Sequence, residues 1–401
     1  MLKRTAFYEK HREAGGKIVP FAGFEMPIQY KGIIQEVKQV RAKVGMFDVS
    51  HMGRVKVRGA QAVEFISKIT VNDPSKLEIS QPEGCGYLLQ QAQYSCMCYP
   101  NGGIVDDIVV YRQADSGSEI LRSAQNDRRE QNDRWRQADK FLIVINAANK
   151  DKDWGWMIEH KIEGVEIIDV SDEIAQLAIQ GPEAESVLEP LVDIDLGKIK
   201  FYWGANCKIA GIPAFISRTG YTGEDGFEIY FDSKHPEIWD KILEIGAKPV
   251  GLGARDVLRL EMKYCLYGND IDKNTTPLEA GLGWITKLDK PDFIGKDVLV
   301  KQKEEGVKRK LVAFIMEGMR VIPRQHYKIY SPQSTVHGPQ SLLIGEVTSG
   351  NYSPSIDRLI GLGYVNASYS EIETRIEIEC RSKLERAKII KPPFYKDGTR
   401  K

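Results

Sequence analysis

An α+β fold of two or three domains, mainly antiparallel in its sheets and ending in a C-terminal β-barrel or jelly-roll-like domain, is what the sequence predicts. Three observations carry that expectation. Helical and strand-like segments are interspersed without a Gly-rich βαβ fingerprint. From about Leu311 onward, strand patterning displaces helical spacing. The chain, at 401 residues, also exceeds what one ordinary core holds.

Taken in order, the elements read as follows. Between Gly32 and Gly45, apolar residues at Ile33, Ile34, Val37, Val40 and Val44 recur at helical spacing. A strand signal at Arg54–Val57 precedes an amphipathic stretch from Ala60 to Thr70. β-branched runs at Ile104–Tyr111, Phe141–Ile145 and Ala214–Ser217 predict strands, and Glu183–Leu191 and Pro236–Ile245 predict helices. The Lys/Glu-rich segment Lys296–Lys310 is the expected helix or linker into the last domain. There, Leu311–Phe314, Tyr327–Tyr330, Leu359–Gly361 and Arg375–Ile378 supply the strands. One segment departs from this pattern. Residues 113–139 contain Gln-Asn-Asp-Arg twice, at 125–128 and 131–134, with almost no apolar side chain. Such polar sequence cannot bury enough surface to offset its ordering entropy, so an exposed hairpin extension is expected. Interleaved Asp and Glu argue against reading Arg122, Arg128, Arg129, Arg134 and Arg136 as an RNA-contacting arm.

Composition narrows the function classes. Lys plus Arg equals Asp plus Glu at 56 each, leaving no global basic field for nucleic acid or an anionic membrane. Six scattered cysteines include one close pair, Cys96 and Cys98, whose spacing is that of alternate strand residues and not of a zinc site. Reduced thiols and no metal are therefore expected. Neither an apolar leader nor a membrane-length apolar stretch appears, and the expected location is the cytoplasm.

The most informative run is Arg218-Thr-Gly-Tyr-Thr-Gly-Glu-Asp-Gly-Phe-Glu228. Its three glycines are expected to supply positive-φ turns. Bracketing Tyr221 and ending at Glu228 on a strand, they would present an aromatic face and a fixed carboxylate to a flat ligand with edge donors, such as a pterin or purine. A Gly-rich hairpin without a ligand is the alternative for this segment alone. A second candidate is the pair Asp106-Asp107, after Gly102-Gly103 at the start of a strand. Consecutive strand side chains face opposite ways, so one carboxylate can enter a pocket while the other bonds the turn or meets solvent.

Further segments are Val19–Pro27, Gly45-Met-Phe-Asp-Val-Ser-His-Met-Gly53, Gly102–Tyr111, Gly251–Glu261, Leu266-Tyr-Gly-Asn-Asp270, Gly345–Gly350 and Lys391-Pro-Pro-Phe-Tyr395. Together with the glycine-rich run they resemble, in order and over nearly the whole chain, the T-protein family of the glycine cleavage system, folate-dependent aminomethyltransferases. The resemblance implies three lobes around a central hole. Residues 1–52 and 140–285 would form a discontinuous folate-binding lobe, 53–139 an interleaved α+β lobe, and 286–401 the C-terminal β-rich domain. It implies tetrahydrofolate as co-substrate, no metal, and the lipoylated H-protein as partner. Asp107 matches the family's catalytic aspartate and Glu228 the carboxylate that grips the pterin edge. Tyr94, Tyr111, Tyr202, Tyr221 and Met52 match residues lining the ring and p-aminobenzoyl group. Arg255 would hold a folate carboxylate or brace Asp107, and Arg400 lies in the tail that completes the site. Two neighbouring readings are a folate-dependent demethylase of small methylated compounds and a folate-binding assembly factor without transferase activity. The complete Gly45–Gly53 run and the absence of a flavin domain count against the first. The second retains a cysteine-centred motif where this chain has Cys265, but keeping Asp107, Glu228 and Arg255 together argues against it.

Overall fold

The computed structural model describes residues 2–114, 139–332 and 342–400. The segment expected as a hairpin extension lies almost wholly outside these. At its root, Gln113 pairs with Lys140 in an antiparallel hairpin.

The first elements are α1 (Tyr8–Glu13), the hairpin β1 (Lys17–Phe21) and β2 (Phe24–Gln29), α2 (Ile33–Ala42) and β3 (Gly45–Asp48). They lead to β4 (Gly53–Gly59), α3 (Ala62–Ile69), β5 (Ile79–Ser80), β6 (Leu89–Cys98), β7 (Ile104–Gln113), β8 (Asp139–Ile145), α4 (Lys150–Glu159) and β9 (Glu166–Asp169). Next come β10 (Ile174–Gln180), α5 (Ala184–Leu188), β11 (Trp203–Ile209), β12 (Ile212–Ser217), β13 (Gly226–Asp232), α6 (Glu237–Glu244), β14 (Lys248–Pro249) and α7 (Leu252–Glu261). Strands β3 to β14 form one 12-stranded sheet in the order β14-β3-β10-β13-β12-β11-β6-β7-β8-β4-β9, with β5 added beside β6. All its pairings are antiparallel except β14 with β3.

Long β6 holds this sheet together. Its first residues, Leu89–Gln91, pair with β11, and Ala92–Cys98 pair with β7. Residue 140 lies in β8, which pairs with β7 on one side and with β4 on the other, and β4 also pairs with β9. Each half has its own apolar core. One packs β10–β13 against α1, α5 and α6 around Phe7, Leu177, Phe227 and Trp239. The other packs β4, β7 and β8 against α3, which buries Ala62, Phe65, Ile66 and Ile69, the stripe of a helix with one apolar face.

After α8 (Lys296–Glu305) the chain forms β15 (Arg309–Met316), β16 (Lys328–Ser331), β17 (Leu342–Ser353), β18 (Arg358–Asn366), β19 (Arg375–Cys380) and β20 (Lys383–Ile390). These close into a six-stranded barrel, β15-β18-β17-β16-β19-β20. The α+β class with an antiparallel bias and a terminal β-barrel is thus observed. A further core, including Cys96, Ile104, Leu260, Ile285, Leu311 and Phe394, joins the barrel to the sheet and to α7.

Candidate active site

The sheet halves, α7, the segment after it and the C-terminal tail converge on a cavity of about 1120 Å³. All nine residues expected from the sequence border it: Met52, Tyr94, Asp107, Tyr111, Tyr202, Tyr221, Glu228, Arg255 and Arg400. Their roles in the geometry differ.

Asp107 enters the cavity from β7, on the same strand face as Val109 and Tyr111. Its Oδ2 accepts the Tyr94 hydroxyl at 2.9 Å and its Oδ1 accepts Asn146 Nδ2 at 2.9 Å. Burial, reinforced by the Asp106 charge, pushes the Asp107 pKa up to about 7 against the pull of those two bonds. A carboxyl so placed exchanges protons near neutrality. Asp106, on the opposite face, is fully buried and bonds the turn after β8. It accepts Asn146 N at 3.0 Å, Asn146 Nδ2 at 2.9 Å and Asn149 Nδ2 at 2.6 Å. Asn146 therefore ties both aspartates together. Behind them Asp153, also fully buried, has its pKa pushed up by burial and then by Asp106, against the pull of Lys152.

Glu228 reaches the cavity from β13. Its Oε2 accepts Thr219 Oγ1 at 2.6 Å and the Tyr111 hydroxyl at 3.5 Å, while Oε1 accepts Gln176 Nε2 at 3.1 Å. Oε1, with a single donor, retains acceptor capacity for an outside donor. Tyr111 does not offer a ring face. It is fully buried, edge-on to Phe215 and Tyr230, with its hydroxyl also bonded to Thr219 and Tyr230. Tyr94 stacks on Trp284 at 6.3 Å, and Trp284 is 64% exposed. Tyr202 holds a left-handed backbone at φ 62° and packs edge-on against Phe201. Met52 is half-buried between the cores behind α2 and behind Tyr111.

The glycine-rich run explains how Tyr221 and Glu228 are placed, partly for a reason other than expected. Only Gly223 uses positive φ, at 81°. Gly220 and Gly226 are required by close approach: a Cβ would stand 1.9 Å from Gln180 Oε1 at the first and 2.4 Å from Ile179 O at the second. Arg218 clamps the run by pairing with Asp225, Nε to Oδ1 at 2.7 Å and Nη2 to Oδ2 at 2.5 Å. The Tyr221 hydroxyl donates to Cys265 O, and its ring stacks on Tyr264 at 5.6 Å. Arg255, from α7, lies with its guanidinium 4.8 Å over the Tyr221 ring and makes no bond to Asp107. Among the described residues no carboxylate lies within ion-pair distance of Arg255, so its charge is available to a ligand. Arg400 donates to the Tyr264 hydroxyl and lies 4.8 Å over Phe201. The tail is anchored just before it, where Thr399 Oγ1 donates to Glu224 Oε2 at 2.6 Å.

Sequence reasoning missed Asn146, Gln176, Trp284 and His51. The last is buried, borders the cavity, and is kept neutral by burial, with its pKa pushed down to about 4. No helix among the described residues is long and apolar enough to cross a membrane.

Comparison with known proteins agrees with this geometry. The GCVT N-terminal domain profile matches residues 7–133 and 134–290, and the glycine cleavage T-protein C-terminal barrel domain matches 309–396. An aminomethyltransferase of Desulfitobacterium hafniense (strain Y51) is 43% identical over 402 residues, covering 98% of each chain. One from Alkaliphilus oremlandii (strain OhILAs) is 44% identical over 407 residues, covering 100% of this chain and 99% of its own. The crystal structure of glycine cleavage system aminomethyltransferase T from Bartonella henselae superposes with a TM-score of 0.83 at 30% identity, covering all of both chains. The chain belongs to the glycine cleavage T-protein family of aminomethyltransferases, which are enzymes.

Proposed function

We propose that the cavity binds tetrahydrofolate as co-substrate and accepts the aminomethylated dihydrolipoyl arm of an H-protein. The carbon leaves both the carrier's sulfur and its amino nitrogen to bridge two folate nitrogens, so that ammonia and the free dihydrolipoyl dithiol are released and 5,10-methylenetetrahydrofolate forms. The observation that carries this reading is the entry of two carboxylates with different surroundings into one cavity. Glu228 is ringed by neutral donors and keeps acceptor capacity, which suits the 2-amino and ring N–H donors of a pterin. Asp107 sits near neutrality, which suits proton exchange with a reacting nitrogen.

The residues fit the ligand in other respects. Tyr221, Tyr202 and Trp284 offer aromatic surface, and Arg255 and Arg400 offer positive charge to folate carboxylates. Folate supplies the nucleophilic nitrogens. Tyr94 and Asn146 hold the Asp107 carboxyl in one orientation, and Asp107 holds or takes a proton beside the reacting carbon. A small methylated compound as donor is the competing chemistry. Calorimetric titration with tetrahydrofolate followed by assay with aminomethylated H-protein separates the two. Ammonia release that requires both substrates supports the proposal. Folate binding with turnover of a methylated amine, but none of the carrier, overturns it.

A further inference from the structure

Gln176 is buried beside Glu228, and Arg54 is buried beside Gln176. Gln176 is 1% exposed and lies on β10, one strand from Glu228. Its backbone is locked to Ser50 in both directions: Ser50 Oγ accepts Gln176 N at 2.9 Å and donates to Gln176 O at 3.1 Å. Its side-chain amide has one acceptor and a pair of donors, so its orientation decides what Glu228 meets. Nε2 donates to Glu228 Oε1 at 3.1 Å and to the Tyr230 hydroxyl at 3.1 Å.

Arg54 sets that orientation from the other end. Its guanidinium is 1% exposed and can only donate. It donates to Ser50 O at 2.9 Å, to Ser171 O, and, at the long limit of 3.5 Å, to Gln176 Oε1. All these acceptors are neutral, and among the described residues Arg54 forms no ion pair with a carboxylate within 4 Å. Burial pushes its pKa down to about 10, which leaves it charged at neutral pH. A charge on the Oε1 side polarises the amide and strengthens the bond that Nε2 gives to Glu228. Flipping the amide would set its oxygen against a carboxylate and its NH2 against a guanidinium.

We propose that Gln176, oriented by the buried Arg54, is a positioning residue that fixes Glu228 for the folate edge. This rests on the reading of Glu228 as the pterin-binding carboxylate. The test is tetrahydrofolate affinity and turnover for Gln176→Leu, Arg54→Met, Glu228→Gln and the double variant of Gln176→Leu with Glu228→Gln. Gln176→Leu should raise the folate Kd about 2- to 13-fold, the span of one hydrogen bond's net worth, with turnover at saturating folate within about twofold. In the Glu228→Gln background it should add less than about twofold, since the partner it positions is already altered. Arg54→Met should weaken binding in the same sense. Should that variant fail to fold, Gln176→Glu replaces it: a second carboxylate against Glu228 weakens folate binding more than Gln176→Leu does and recovers affinity as pH falls. If Glu228→Gln weakens binding while Gln176→Leu does not, the positioning role is wrong. Additive losses would also overturn it. Unchanged affinity in Glu228→Gln overturns the underlying reading of Glu228 itself.

Discussion

Asn146 changes what a substitution at either aspartate means. Asp107→Asn removes the ionisable carboxyl from the cavity, and under the proposed function turnover should fall about 100-fold or more with folate affinity little changed. In the unaltered enzyme, the rate should fall as pH drops below about 7, where Asp107 takes up its proton. The sign for stability runs the opposite way to activity. Because folding raises this carboxyl's pKa, the folded state binds its proton more tightly than the unfolded chain. That contribution is full at low pH and is lost as pH rises from about 4 to about 7. Asp107→Asn should therefore gain in melting temperature over the native residue between pH 5 and pH 8, a comparison that thermal scans at both values check. Asp106→Asn presents an amide to three N–H donors and should cost about 1–3 kcal/mol of stability by denaturant titration, with the smaller loss of turnover. The two carboxylates were legible in the sequence because strand alternation separates adjacent residues. Asn146 was not, since its bonds depend on β7 and β8 being in register across the intervening segment.

Among the elements, strands were the most readable, because β-branched runs such as Ile104–Tyr111 and Phe141–Ile145 announce themselves locally. The glycine-rich run does line the cavity, but its geometry was only partly legible. Gly220 and Gly226 depend on Gln180 and Ile179 of a strand some 40 residues earlier, a contact invisible to a local reading. Gly226→Ala should destabilise the fold by about 1–3 kcal/mol, since the Cβ would meet strand backbone that cannot yield without breaking the β10–β13 pairing. Chemical denaturation of that variant, with folate Kd measured in parallel, gives both readouts. The β7–β8 hairpin carries a second expectation. Gln113 lies six residues beyond Asp107, about 20 Å along the strand. Deleting Ser116–Gln137 and rejoining with a short turn should leave melting temperature and turnover nearly unchanged. Loss of carrier-dependent turnover with folate binding intact would assign the segment to the partner interface.

At the scale of the molecule, the barrel is held to the sheet by buried charge. Arg41 of α2 donates to Glu224 Oε1 at 2.8 Å and to Glu261 Oε2 at 2.6 Å, and Ser353 and Ser355 of the barrel side donate to the same Glu261. Arg41→Met would leave two buried carboxylates without their cation, an expected loss of about 3–5 kcal/mol. Calorimetry should then show whether barrel and sheet still melt in one transition. This junction could not be read from the chain, because it joins positions 41, 224, 261 and 353 that share no motif. The C-terminal β domain itself was evident from patterning alone.

The order of the large sheet has a consequence for behaviour in concentrated solution. An open sheet exposes borders, and each is a place where another chain can add a strand. Here the ends of the strand order are β9, with four residues, and β14, with two, one of them Pro249, which has no N–H to give; β5, beside β6, adds a further border of two residues. The barrel, being closed, has no border. Among the described residues the borders of the large sheet are thus strands of two to four residues, and it offers little template for edge-to-edge aggregation despite its strand content.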